Sequence, residues 1–262
     1  MKSTIILGSG RSGTSLTAGF LHQSGYFMGE RLYDPHPANP LGFFEDQTIN
    51  RINERLLAQV MPYSIRVPVW GARLPIGKPG LDQRWLAELP SHVQINATRE
   101  SRRKIPGLVA QAPFCFKDPR FCYTLPVWEP YLGDAVIVCV FRHPSLTIQS
   151  ILRECQRQKY LRSLRFTWER GLNVWDLMYR RVLRLYEQSS RQWVFLEFEQ
   201  FHTGKAAQIL STALDVAVDS TFFRPNLNRT VTKQIVPESI EALYLTLRQL
   251  SQNSHSQFSF PQ

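Results

Sequence analysis

The sequence contains no long hydrophobic run, and this absence excludes a helical membrane protein. No stretch approaches the roughly 18 consecutive apolar residues that a membrane-spanning helix requires. The apolar stretch near the N-terminus, residues 3–7 (STIIL), ends at Gly8 and is too short for the hydrophobic region of a secretory signal. We therefore expect a soluble, cytoplasmic protein without a membrane span.

Cysteine is also scarce. The four cysteines lie in apolar or helical contexts, and none has the spacing of a metal-ligand motif. Buried, reduced thiols are the better interpretation, and the sequence predicts no bound metal. The four residues are Cys115, Cys122, Cys139 and Cys155.

Acidic residues are fewer than basic ones. The chain has 21 Asp and Glu against 31 Lys and Arg, which gives a formal net charge of +10 and a pI near 9.7. Such a balance attracts anionic partners over a long range. No nucleic-acid-binding motif accompanies the charge, so nucleic acid is not an expected partner. Solvated helix faces explain the arginine-rich patches, such as residues 153–165, equally well.

One lysine is missing from a place where many nucleotide-binding proteins have it. Residues 3–7 predict a short strand, residues 8–15 (GSGRSGTS) a glycine loop, and residues 16–24 an amphipathic helix. Such a loop directs backbone N–H groups at an anion, and the helix N-terminus adds a positive dipole end. A nucleoside triphosphatase would need lysine after Gly13, where this chain has Thr14. The loop therefore predicts a phosphate site that is not of the triphosphatase type.

The remaining pattern predicts a single α/β domain. Strands are expected at residues 114–116, 134–141 and 193–198, with helices between them, including a long one near 164–188. The run at 134–141 (DAVIVCVF) is typical of a strand buried on both faces of a parallel sheet. We expect a central, mostly parallel sheet flanked by helices, of the P-loop nucleotide-binding type, over residues 1–250. Residues 251–262 are polar and are expected to form a flexible tail.

Polar residues follow two of the internal strands. Lys117 follows the strand at 114–116, and Arg142 follows the strand at 134–141, with Ser150 eight residues later. Ligands of open α/β sheets collect beyond the carboxyl ends of the strands. A guanidinium and a hydroxyl beside the helix that starts at Pro144 therefore predict a second phosphate pocket.

These paired motifs resemble the sulfotransferases that use 3′-phosphoadenylyl sulfate. The likeness rests on the strand with GSGRSGTS and, much later, a strand followed by RHPSLTIQS. The stretches NPLGFFEDQTINRINERLL and FKDPRF resemble a bacterial branch of the family. The resemblance implies a 5′-phosphosulfate site at the glycine loop and a 3′-phosphate site at the arginine and the serine. The implied binding residues are Gly10, Arg11, Ser12, Gly13, Thr14, Ser15, Arg142, Ser150 and Arg229, the last only as a stand-in with Lys233 for a signature that is absent.

The sequence departs from the cytosolic enzymes at the general base. Their histidine has no counterpart at 117–119 (KDP), so we expect Glu45 to be the base. Glu45 follows two aromatic residues that would desolvate it and raise its pKa. The alternative is that Glu45 and Asp46 only cap the helix that follows. Arg11 is expected to stabilise the leaving oxygen, and Lys117 to donate a proton.

Other acids and histidines are weaker candidates. Asp118 is the second candidate for the base, but we expect it to pair with Arg120 or to cap a turn. Glu197 is expected to be structural and His22 to pack or lie on the surface, and His36 is a minor candidate for contact with the acceptor. The leading hypothesis is sulfuryl transfer to a hydroxyl of a glycan, lipid or secondary metabolite. An ATP-dependent kinase with a divergent loop and a non-catalytic nucleotide-binding protein are the alternatives.

Overall fold

The computed structural model describes residues 1–35, 39, 41–61, 67–69, 72–74, 79–224 and 231–258, with the backbone alone at 67–69, 72–74 and 255–258. The strands are β1 (Thr4–Leu7), β2 (Val67–Val69), β3 (Ala72–Leu74), β4 (Cys115–Lys117), β5 (Val136–Phe141) and β6 (Trp193–Glu197). The helices are α1 (Thr14–Gln23), α2 (Gln47–Ala58), α3 (Arg99–Val109), α4 (Phe121–Trp128), α5 (Pro144–Arg157), α6 (Trp168–Gln188), α7 (Lys205–Leu214) and α8 (Glu238–Phe258).

Four strands form one parallel sheet in the order β4-β1-β5-β6. Ile5 of β1 pairs with Phe116 of β4 on one side and with Ile137 of β5 on the other. β2 and β3 form a separate antiparallel hairpin. The predicted single α/β domain with a parallel sheet is confirmed.

Helices cover both faces of the sheet, which is why β5 is apolar at every position. Alternate residues of a strand point to opposite faces. Ile137, Cys139 and Phe141 join the larger core cluster, which contains residues of α2, α4, α6 and α8. Val138 and Val140 join the second cluster, which contains residues of α1 and α7.

Local signals explain where the helices next to the sheet begin. Asp46 is the N-cap of α2, and its carboxylate accepts hydrogen bonds from Thr48 N at 2.7 Å and Ile49 N at 3.0 Å. α5 begins at Pro144, whose fixed φ and missing N–H suit the first helical position. The helices that frame the sheet edge are therefore set by their own sequences.

The C-terminal helix extends further than the sequence predicted. α8 continues to Phe258, so residues 251–258 of the predicted flexible tail are helical, and residues 259–262 lie outside the described residues. Ser254 is buried; its hydroxyl accepts a hydrogen bond from Phe195 N at 3.2 Å and donates one to Leu250 O at 3.0 Å. The first of these hydrogen bonds uses a backbone N–H of β6, which is an edge strand of the sheet. It also holds the polar end of α8 against that strand.

Between α2 and α3 the described residues contain the antiparallel β2–β3 pair and a short 3₁₀ turn, Arg84–Leu86. The four cysteines are free and buried, and burial raises the pKa of the Cys155 thiol to about 12. Within the described ranges, no helix is long and apolar enough to cross a membrane, and no group of three His, Cys, Asp or Glu side chains is placed to hold a metal.

Candidate active site

The carboxyl ends of the four parallel strands meet at one edge of the sheet. The glycine loop follows β1, Lys117 ends β4, Arg142 follows β5, and Phe198 follows β6. Because all four strands run the same way, residues far apart in sequence become neighbours there.

The glycine loop is tightly enclosed by the next strands. Gly8 has φ 138°, and a Cβ there would lie 2.0 Å from Val140 O. Gly13 has φ 105°, and a Cβ there would lie 2.7 Å from Cδ2 of Phe198. Only glycine fits both the backbone conformation and the space at these positions.

Buried hydrogen bonds hold the loop in shape. The hydroxyl of Tyr179 on α6 accepts a hydrogen bond from Ser9 N at 3.0 Å and donates one to Val140 O at 3.0 Å. The Ser12 hydroxyl shares its one proton between Ser9 O at 2.6 Å and Val140 O at 3.1 Å, and Ser12 N donates to Ser9 O at 3.3 Å. Ser12, predicted as a binding residue, therefore uses its hydrogen-bonding groups to shape the loop.

The end of the loop is the N-terminus of α1. Gly13 is the N-cap and provides no side-chain hydrogen bond. The first-turn N–H groups of Thr14, Ser15 and Leu16 have no acceptor within the helix. Together with the helix dipole, they make this end of the loop favourable for an anion, and the binding of an anion here stays a prediction.

Two arginine side chains lie near this end of the glycine loop. Arg11 Nε donates to Ser150 Oγ on α5 at 3.1 Å, so the glycine loop and α5 are directly joined. The guanidinium carbon of Arg142 lies 4.5 Å from the centre of the Phe198 ring, the same ring that encloses Gly13. The structure thus brings Gly13, Arg11, Arg142 and Ser150 together.

The surroundings of Arg11 and Arg142 lower the pKa of both guanidinium groups. Burial lowers the pKa of Arg142, and the nearby positive charge of Arg11 lowers it further, against the opposing effect of Glu199. Burial also lowers the pKa of Arg11, although the carboxylate of Glu154 opposes this effect. Negative charge bound next to the two guanidinium groups would offset the cost of their desolvation and their repulsion.

Glu45 belongs to a buried pair with Lys117. Lys117 Nζ donates to the Glu45 carboxylate and, at 3.2 Å, to Ser15 Oγ in the first turn of α1. Asn50 Nδ2 donates to the other carboxylate oxygen at 2.8 Å. Burial raises the pKa of Glu45, and the ammonium of Lys117 opposes that rise. Asp46 is the residue that caps α2, so the capping alternative holds for Asp46 and not for Glu45.

A buried polar network lies behind this pair. Arg120 donates to Glu54 at 2.7 Å, to Asn50 at 2.9 Å and to Asp118 at 3.0 Å. Arg84 also donates to Glu54, at 2.7 Å. The predicted Asp118–Arg120 pair is present, and Asn50 connects it to Glu45.

Sequence reasoning missed four residues of this edge: Asn50, Glu54, Tyr179 and Phe198. One signal was available for two of them. Asn50 and Glu54 lie beside the apolar positions of α2 and are buried there, as is Asn53, which is unusual for polar residues unless they have partners.

The remaining candidates lie elsewhere. Glu197 accepts hydrogen bonds from Tyr244 and Arg248 and caps the 3₁₀ turn after β6, which makes it structural. His22 is exposed, with its ring 5.3 Å from that of Phe44. Lys233 is exposed. Arg229 and His36 lie outside the described residues.

A cavity of about 450 Å³ opens over the Glu45–Lys117 pair. This size is typical of small-molecule sites. Its described lining residues are Gly10, Arg11, Thr14, Ser15, Tyr33, Asn39, Phe43, Glu45, Asn50, Leu81, Asp82, Trp85, Lys117, Pro119, Arg120, Glu154, Gln158 and Tyr160.

Comparison with known proteins gives one family match. A family model described as "Sulfotransferase family" matches residues 4–211. No curated protein sequence matches the chain. Among solved structures, the sulfotransferase domain of the Synechococcus PCC 7002 olefin synthase is 18% identical, with a TM-score of 0.46 over 99% of this chain and 95% of that one. The sulfotransferase domain from the curacin biosynthetic pathway is 15% identical, with a TM-score of 0.43 over 99% of each chain.

Proposed function

This chain belongs to the sulfotransferase family, and from that premise we propose that it transfers a sulfuryl group from 3′-phosphoadenylyl sulfate to an acceptor hydroxyl. One observation gives the main support for 3′-phosphoadenylyl sulfate as the donor. The contact between Arg11 and Ser150 joins the glycine loop to α5, so the two predicted phosphate sites are neighbours. A nucleotide phosphorylated at both the 5′ and 3′ positions has this arrangement of charge.

In the proposed complex, the amides of Gly10 to Ser15 face the 5′-phosphosulfate, except the N–H of Ser12, which serves the loop itself. Arg142 and Ser150 bind the 3′-phosphate. Arginine suits this task because its planar fork of donors matches the oxygens of a phosphate monoester.

The chemistry requires a base on one side of the sulfur and positive charge on the other. Glu45 accepts the proton of the acceptor hydroxyl while the acceptor oxygen forms its bond to sulfur. The bond from sulfur to the bridging oxygen breaks, and its electron pair stays on the 5′-phosphate. Arg11 stabilises that oxygen as a permanent cation, and Lys117 donates a hydrogen bond to it. Asn50 holds the Glu45 carboxylate in place.

The donor assignment is tested by calorimetric titration with 3′,5′-bisphosphoadenosine, with adenosine 5′-monophosphate and with ATP plus Mg²⁺. We expect Arg142→Ala to weaken bisphosphate binding about 10- to 100-fold, the loss typical of a hydrogen bond to a charged group. Binding of the monophosphate, which lacks the 3′ group, should change little. Arg184→Ala, at an exposed position of α6, removes the same charge elsewhere and is the control.

Equal losses for the two nucleotides would contradict the role of Arg142. Binding of ATP with Mg²⁺ but not of the bisphosphate would favour the kinase alternative. Bisphosphate binding without transfer to any acceptor would favour the non-catalytic alternative.

The base assignment is tested by Glu45→Gln. We expect the variant to lose turnover and keep its bisphosphate affinity, because the amide has nearly the same shape and cannot accept the proton. In the unchanged protein, the rate should rise with pH through the raised pKa of Glu45, because only the carboxylate form is a base. Unchanged turnover in the variant would rule Glu45 out as the general base.

A cytoplasmic location of the protein stays a prediction.

A further inference from the structure

The mouth of the active-site cavity is unusually apolar. Large hydrophobic side chains are rarely exposed in the described part of the chain, yet three of them line this one cavity. Tyr33 is 41% exposed, Leu81 72% and Tyr160 50%. Phe43 and Trp85 extend this surface inward. Exposed apolar side chains that cluster around a cavity mark a surface that an apolar molecule covers.

The charges around the cavity are separated by depth. The cations Lys117 and Arg120 are buried, and each is paired with a carboxylate. At the mouth, Asp82 is exposed. Burial and the nearby carboxylate of Asp82 both raise the pKa of Tyr33. Glu154 adds a second negative charge to the lining.

This arrangement changes the expectation drawn from the net charge of +10. The positive net charge attracts anionic partners in general, but the cations that line the cavity are already paired or lie at the donor side. An anionic acceptor would meet exposed Asp82 before it reached Glu45.

Building on the proposed sulfuryl transfer, we propose that the acceptor is an uncharged apolar alcohol. Its hydroxyl reaches Glu45, and its hydrocarbon body lies against Tyr33, Leu81 and Tyr160. The carboxylate of Asp82 at the mouth disfavours acceptors that carry a negative charge at the far end of that body. Specificity therefore lies in the rim of the cavity, separate from the donor-binding residues.

This inference is tested with three acceptors, 1-propanol, 1-octanol and 8-hydroxyoctanoate, at saturating donor. The first two differ in chain length, and the last two differ in the carboxylate at the far end. Burial of one methylene group is worth up to about fourfold in binding, so we expect kcat/KM for 1-octanol to exceed that for 1-propanol by at least tenfold. The added carboxylate should reduce kcat/KM about tenfold, because like charges at an interface suppress the wrong partner. 4-Pentylphenol shows whether an aromatic body is preferred to an aliphatic one.

Two variants test whether residues at the cavity mouth determine this acceptor preference. Leu81→Ser should lower kcat/KM for 1-octanol about fivefold, since it removes exposed apolar surface that the chain would cover. Its control is Leu245→Ser on α8, which removes a similar exposed leucine away from the cavity. Asp82→Asn should improve the use of 8-hydroxyoctanoate alone. Asn tolerates the φ of 63° at this position, so the loop should be preserved.

A failure of this inference is distinguishable from a failure of the proposed function. Absence of bisphosphate binding, measured separately, would refute the donor proposal. Equal use of all three acceptors, or a fall in bisphosphate affinity in Leu81→Ser equal to the fall in kcat/KM, would overturn the inference on the rim. If the bisphosphate binds and no acceptor is turned over, saturation-transfer NMR on the bisphosphate complex decides. Binding of 1-octanol in preference to 8-hydroxyoctanoate supports the inference, and equal or absent binding overturns it.

Discussion

Removal of one buried hydroxyl should loosen the glycine loop. Tyr179 is fully buried, and its hydroxyl is the acceptor for Ser9 N, which is also buried. Tyr179→Phe keeps the ring and leaves that N–H without an acceptor. Val140 O is affected less, because it still accepts a hydrogen bond from Ser12 Oγ at 3.1 Å.

The expected loss of stability comes from the Ser9 N–H, which is left without an acceptor. A buried donor left without a partner costs about 1–3 kcal/mol. In a protein of this size, 1 kcal/mol lowers the melting temperature by about 2–4 °C. We expect a fall of several degrees in differential scanning calorimetry. Bisphosphate affinity should also fall, about tenfold, because the loop amides must then be ordered by the ligand itself.

The matched control is Tyr186→Phe. Tyr186 lies on the same helix and is half-buried between Trp193 and Phe195, and its loss of a hydroxyl should leave both measurements nearly unchanged. A lower melting temperature with full bisphosphate affinity would show that Tyr179 supports the sheet and not the loop. An unchanged melting temperature would refute the reasoning on the buried donor.

Two further changes test the residues around Glu45. Lys117→Met removes the ammonium that opposes the raised pKa of Glu45, so the acid limb of the pH–rate profile should move to higher pH; a shift to lower pH would contradict the pairing. Asp46→Ala removes the cap of α2 and should cost about 1–2 kcal/mol in urea unfolding, whereas Asp46→Asn should cost less because Asn is also a good cap. Equal unfolding midpoints for all three proteins would show that the cap contributes nothing.

The fold could be predicted where the pattern is local. β1 and the glycine loop are adjacent in sequence, and β5 is a continuous apolar run that only a doubly covered strand explains. The site residues at the strand ends follow from the same logic, because parallel strands bring their carboxyl ends to one edge. Lys117 and Ser15, 102 positions apart, are in hydrogen-bond contact for this reason.

Other features could not be predicted because their signal depends on distant partners. The position of Asn50 and Glu54 on α2 signals that they need polar partners, but only the fold shows that the partner is Arg120. Tyr179 resembles a core aromatic residue of α6, since its hydroxyl partner, Ser9, is 170 positions away. The end of α8 is polar in composition, and only the contact of Ser254 with β6 shows why it stays helical.

The burial of every native thiol has a practical consequence. Burial raises the pKa of Cys115, Cys122, Cys139 and Cys155, so these thiols are protonated and shielded near neutral pH. A cysteine introduced at exposed Ser190, near the amino end of β6, would be the preferred target for a maleimide dye. A dye there would sit about 17 Å or more from the catalytic edge, the length of a five-residue strand. Binding experiments with a fluorescent reporter then need no cysteine-free background.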